Sequence, residues 1–163
     1  MKRSGQIQVS FGMIFSIIIV IATVAVGFYV INYFLNLSSC TKAGMFWDSL
    51  GDEVDKAWKS DMTQKVFQGA VPSGVKYVCF GNFSLTPENN VTTRNIFSEL
   101  EEFGETDKNA FMYPPEKACE VGFYDLKHTR SDNFFCVPAK SGVVNFKISF
   151  ESSKSALVTL SKP

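Results

Sequence analysis

Apolar and polar positions change their pattern twice along this chain. From Phe11 to Leu35 the residues FGMIFSIIIVIATVAVGFYVINYFL carry no charge over 25 positions, with only Ser16, Thr23 and Asn32 between the apolar ones. At about 1.5 Å rise per residue, a helix of this length crosses a hydrocarbon layer of about 30 Å with some tilt, whereas the apolar core of a secretory signal runs only about 7 to 15 residues. The pattern predicts a membrane-spanning helix over residues 11–35. After a break from Ser38 to Gly44, apolar residues return at Trp47, Leu50, Val54, Ala57 or Trp58, Met62 and Val66, with charges between them. Steps of three and four describe an amphipathic helix. It is expected to lay one face on a sheet, or else to offer a Trp47/Trp58 stripe to neighbouring subunits or the membrane interface. LSSCTKAG leaves open whether the two helices are continuous.

The remainder reads mostly as β. Val71-Pro72-Ser73-Gly74 is a turn signal, followed by a strand from Val75 to Phe80. Gly81 to Asn95 is polar and reads as an exposed loop. Ile96, Phe97, Leu100 and Phe103 mark a short helix, with Thr93 as cap and Gly104 as stop. A strand from Ala110 to Tyr113 ends at Pro114-Pro115. Val121, Phe123 and Leu126 suggest another, and Phe134 to Val137 one more. Val144, Phe146, Ile148 and Phe150 alternate with polar residues, and the turn Ser152-Ser153-Lys154 leads to Ala156, Val158 and Leu160. These last two strands form a hairpin with one face buried. The expected fold is α+β: a transmembrane helix, then an amphipathic helix packed on a small antiparallel sheet.

Charge orients the chain. Lys2 and Arg3 precede the apolar helix, and the next basic residue is Lys42. Positive charge favours the cytoplasmic side, so residues 1–10 are expected to be a cytoplasmic leader and 38–163 an extracytoplasmic domain of a single-pass protein in the cell membrane. All 16 acidic residues and 14 of the 16 basic ones follow the helix, so that domain has a formal charge of −2. A nucleic-acid partner is not expected; the lipid bilayer is.

Cys40, Cys79, Cys119 and Cys136 all lie on the outer side, and an even count in an oxidising compartment reads as two disulfides. Three pairings are possible. We prefer Cys79–Cys136 with Cys40–Cys119, because the first pair sits in two strand candidates that suit neighbours in one sheet; four free thiols is the alternative. Three N-x-S/T sequons begin at Asn36, Asn82 and Asn90, with Asn36 close to the bilayer and Asn82 and Asn90 the glycosylation candidates.

Chemistry beyond this is sparse. His128 is the single histidine and stands in a polar turn, the cysteines lack close CxxC pairs, and no G-x-S-x-G elbow, Walker loop or dinucleotide glycine pattern occurs. Asp52-Glu53-Asp55 and Glu99-Glu101-Glu102 read as solvated helix faces. We therefore expect no enzyme activity, no catalytic or metal-binding residues and no cofactor. Leu37-Ser38-Ser39-Cys40 also fits the small-residue pattern before a lipid-modified cysteine, a lipoprotein alternative that would discard the helix.

The leader MKRSGQIQVSFG, followed by the apolar helix, resembles archaeal type IV pilin-like proteins with a class III signal peptide. The resemblance covers roughly residues 2–35. It implies prepilin peptidase cleavage between Gly5 and Gln6, retention of the helix, and packing of that helix against other pilin-like subunits in a filament. Many such proteins carry Glu at the fifth mature position, where this chain has Ser10, which cannot neutralise a neighbour's terminal amine. A minor pilin-like subunit of a type IV pilus-like assembly is the expected function; a non-polymerising single-pass surface binding or structural protein is the alternative. Ala22, Ala25 and Gly27 are candidate helix-packing positions for self-association.

Overall fold

The computed structural model describes residues 11–60, 64–104, 107–150 and 156–163, the side chain of Asn36 excepted. The chain divides into two compact units, residues 1–37 and 38–163, and helix α1 (Phe11–Lys59) contributes to both. In the first unit α1 is apolar all round and every residue from 11 to 35 is exposed. In the second unit the same helix carries a single buried stripe, Ala43, Phe46, Trp47, Leu50, Val54 and Ala57, each at most 3% exposed. Steps of three and four keep these residues on one face. Lys56 and Lys59 stand in the last turn, where the helix dipole favours cations. The Ser60 hydroxyl and N–H both donate to the Lys56 carbonyl and close the end.

Two four-stranded sheets follow. The first has the order β1 (Gln64–Ala70), β7 (Val143–Ser149), β8 (Val158–Ser161), β5 (Thr129–Arg130); the second has β4 (Phe123–Tyr124), β3 (Ala110–Tyr113), β2 (Tyr77–Phe80), β6 (Phe135–Pro138). All pairs are antiparallel except β5 with β8. The single antiparallel sheet expected from the sequence is thus two sheets, one of them mixed. The predicted final hairpin is present as β7 and β8, with Ile148 opposite Leu160; its turn 152–154 lies outside the described residues.

Alternation explains how the second sheet holds the domain together. Val78 and Phe80 of β2, Ala110 and Met112 of β3, and Phe135 and Val137 of β6 point into one core, shared with the α1 stripe and with Phe67, Val144, Phe146 and Ile148 of the first sheet. Cys79, Phe111 and Cys136 point the other way, into a second core with Ile96 and Leu100 of α2 (Val91–Glu101). Successive strand residues face opposite sides, so a sheet covered on both faces is apolar at nearly every position. Phe146 bridges the sheets within the first core, with its ring centroid 5.2 Å from Phe67 and 4.7 Å from Phe80.

Several local readings change. The amphipathic helix was expected to reach Val66, but it stops at Lys59; Met62 lies outside the described residues and Val66 is an exposed position of β1. Seven ladder partners on β7 and burial of Phe67 hold 64–70 extended. Gly69 is required there, because a Cβ would come within 2.5 Å of the Phe46 ring. The N-cap of α2 is Asn90, whose Oδ1 accepts from the Thr92 N–H at 2.9 Å, while the expected cap, Thr93, is buried one turn in. The segment 81–95 is therefore only partly a loop. Gly104, at φ +72°, ends the helical stretch as expected. Val121 belongs to a 3-10 turn, Cys119–Val121, rather than a strand, and Leu126 is buried outside any strand.

Candidate functional site

The most distinctive surface of the chain is α1 before residue 38. Phe11, Ile21, Phe28 and Leu35 are 85%, 63%, 66% and 62% exposed. Exposed apolar area costs about 25 cal/mol per Å² in water, so a surface this large and contiguous is unfavourable in water. Two of the polar interruptions are neutralised within the helix itself: the Ser16 hydroxyl donates to the Gly12 carbonyl at 2.8 Å and the Thr23 hydroxyl to the Val20 carbonyl at 2.9 Å. Such internal satisfaction is what a low-dielectric surrounding demands of a hydroxyl. The helix is long and apolar enough to cross a membrane.

The small residues proposed for helix packing are Ala22, Ala25 and Gly27. At about 100° per residue, Ala22 and Ala25 share a face and Gly27 stands nearly opposite Ala25. A Cβ at Gly27 would meet nothing within 4 Å. The three positions therefore offer two faces rather than one.

In the domain 38–163 all four cysteines are paired. Cys40 is bonded to Cys119 and Cys79 to Cys136, with Cα–Cα distances of 5.4 and 4.0 Å. Cys79 and Cys136 are direct partners across β2 and β6, as their strand-like flanks suggested. Cys40 to Cys119 ties α1 to a 3-10 turn, and Trp47 strengthens the same junction: its indole N–H donates to the Val121 carbonyl at 2.7 Å and its ring stacks on Tyr124 at 5.2 Å. Trp47 is 1% exposed, so it is not an outward stripe with Trp58.

His128 stands less freely than an exposed turn would place it. Its ring stacks on Trp58 at 3.7 Å between centroids, and its Nδ1 lies 3.8 Å from an Asp55 carboxylate oxygen. The Trp58 indole N–H in turn donates to the Ala156 carbonyl at 3.0 Å. Among the described residues no group of three or more His, Cys, Asp or Glu side chains is placed to hold a metal ion. Of the helical acidic groups, Glu53 and Glu99 have partners on neighbouring strands. Glu53 bonds to Lys65 on β1 and to Lys56 at 3.1 Å. The Lys65 bond chiefly holds its carboxyl below the usual carboxylate range, against an opposing effect of burial. Glu99 accepts the Tyr113 hydroxyl, which raises the phenol's pKa.

A cavity of about 260 Å³ opens between the sheets, with an apolar floor at Phe80, Leu85 and Leu160 and polar walls at Asn82, Thr129 and Arg130. Asn109, also in its wall, is fully engaged: its amide donates to the Leu126 carbonyl and accepts the Leu126 N–H. Sequence reading did not single out this cavity, because its walls come from strands far apart in the chain. Asn82 and Asn90 are both exposed. Gly5, Gln6 and Ser10 lie outside the described residues. Comparison with protein-family models, with characterised proteins and with solved structures finds no match to this chain.

Proposed function

We propose that the chain is a membrane-anchored, pilin-like surface subunit, a minor component of a type IV pilus-like assembly, with its amino terminus cytoplasmic and residues 38–163 extracytoplasmic. The observation that carries this reading is the charge-free helix 11–35, exposed on all sides, with the Ser16 and Thr23 hydroxyls satisfied inside the helix. Hydrocarbon, or the apolar flanks of other such helices, is the surrounding in which that surface is stable. Two disulfides in the following domain suit an oxidising exterior. Lys2 and Arg3 before the helix give the orientation, and the Gly5-Gln6 junction gives a cleavage point that leaves the helix attached. The lipoprotein alternative needs the Cys40 sulfur for a lipid thioether, and that sulfur is bonded to Cys119.

A second reading, a single-pass surface protein that does not polymerise, is favoured by Ser10 in place of an acidic residue and by the division of small residues between two helix faces. The mature amino terminus separates the two. Gln6 as the first residue of protein isolated from membranes supports pilin-type processing; an intact Met1 refutes it. Imaging then decides assembly: filaments with helices of several subunits in the core support the first reading, and isolated membrane-bound chains the second. Orientation is tested by protease added to intact cells, which is expected to digest residues 38–163 and would leave them whole if the topology were reversed.

A further inference from the structure

The two describable sequons present their acceptors differently. Asn82-Phe83-Ser84 begins a turn closed by the Leu85 N–H on the Asn82 carbonyl at 3.1 Å. Its middle residue is half-buried and packed against the second core, with the Phe83 ring 5.0 Å from Phe111 and 5.4 Å from Phe97. Asn90-Val91-Thr92 is exposed at all three positions, and Val91 is 65% exposed. There the Asn90 Oδ1 accepts from the Thr92 backbone N–H at 2.9 Å, which fixes the side chain while leaving its Nδ2 without an acceptor among the described residues. The Thr92 hydroxyl is likewise unengaged among them. A transferase must grip three consecutive residues of a sequon and reach the amide nitrogen and the hydroxyl together. At the first sequon Asn82 and Ser84 are exposed but Phe83 between them is packed down, whereas Asn90, Val91 and Thr92 are exposed throughout.

We propose that Asn90 is the N-glycan attachment site of the folded domain and that Asn82 is not. In the transfer, Nδ2 gives up a proton to a base of the transferase and bonds to the anomeric carbon of a lipid-phosphate-linked oligosaccharide. The bond from that carbon to the phosphate oxygen breaks, and the lipid phosphate leaves with the electron pair. Oδ1 is untouched, so the cap of α2 survives the modification. The proposal rests on the extracytoplasmic placement of residues 38–163.

The test is the glycopeptide mass of the full chain purified from membranes of its source cells. After trypsin the peptide 77–94 holds both asparagines, and fragmentation that preserves glycans assigns the added mass. It is expected on Asn90 in most copies and is expected to persist in Asn82→Asp and Thr92→Ser. It is expected to vanish in Asn90→Asp, which keeps a capping oxygen, and in Thr92→Ala, which keeps the backbone donor. An unmodified peptide in a domain that protease reaches on intact cells overturns this proposal and leaves the topology standing. A domain protected from protease overturns the topology and this proposal with it. Added mass on Asn82 that survives Asn90→Asp overturns the assignment.

Discussion

Residues 11–35 and residues 43–57 belong to one helix, yet they solve opposite problems. The first stretch has no buried residue and no charged one, whereas the second buries Ala43, Phe46, Trp47, Leu50, Val54 and Ala57 and turns Asp48, Asp52, Glu53 and Lys56 elsewhere. A helix that is apolar all round needs a surrounding that is apolar all round, so composition alone specifies it. A helix with one apolar stripe needs a partner of matching shape, and that partner comes from strands distant in sequence. The contrast predicts that changes of equal size should have unequal consequences in the two stretches.

The largest difference is expected from truncation. Leu50→Ala removes a fully buried side chain and should cost about 2–5 kcal/mol of domain stability. Ile19→Ala, at a position 46% exposed, should leave the domain's unfolding midpoint unchanged. Circular dichroism of the detergent-solubilised chain during denaturation measures both. Equal losses would break the comparison. Next comes reduction, which acts only on residues 38–163. Each bridge closes a long segment, 79 residues for Cys40–Cys119 and 57 for Cys79–Cys136, so removal should cost about 2–4 kcal/mol per bridge. Non-reducing peptide mapping of protein from its native compartment checks the pairing, and four alkylatable thiols would contradict it.

A smaller effect is expected in the apolar stretch. If the helix associates with copies of itself, Gly27→Leu should preserve insertion and lower crosslinking by steric exclusion of the close approach that small residues allow. Ala25→Leu probes the nearly opposite face. Loss with one variant alone identifies the packing side; no loss with either supports a solitary anchor. The smallest effect concerns Glu53. Its folded pKa is depressed by Lys65, so its contribution is present above the ordinary carboxylate pKa and lost as pH falls through the folded value. Glu53→Gln should therefore cost at most about 1 kcal/mol at neutral pH, with the difference from the unaltered chain closing in acid. A gap that widened on acidification would contradict the sign.

Elements whose signal is local were legible. The strand at Val144 to Ile148 declares itself by alternation, and its buried residues are Val144, Phe146 and Ile148. β3 was read with its observed ends, Ala110–Tyr113, because Pro114-Pro115 stops it. β1 hides behind a helical spacing, since Val66 continues steps of four from Val54 through Trp58 and Met62, while its true reason for being extended is a ladder with β7 some 80 residues on, Phe67 opposite Phe146. The misplaced cap has a different cause. Asn90 and Thr93 are both good capping residues, and the choice between them depends on where the chain leaves the Pro87 to Asn90 segment, held by the Glu88 N–H on the Phe134 carbonyl at 2.9 Å. The cavity walled by Asn82, Thr129 and Arg130 carried no signal at all, since its parts meet only when β2 and β5 are brought near each other.

The long apolar helix, strand alternation, the even cysteine count and the sequons were thus written in short stretches of residues, because hydrophobicity and side-chain period act over a few neighbours. The division into two sheets, the end of α1 at Lys59 and the unequal presentation of Asn82 and Asn90 were settled by contacts across the fold. Which of several locally acceptable conformations persists depends on which buries Phe67, Phe83 and Phe146 and pairs their backbones. That free energy exists only after distant strands have come together.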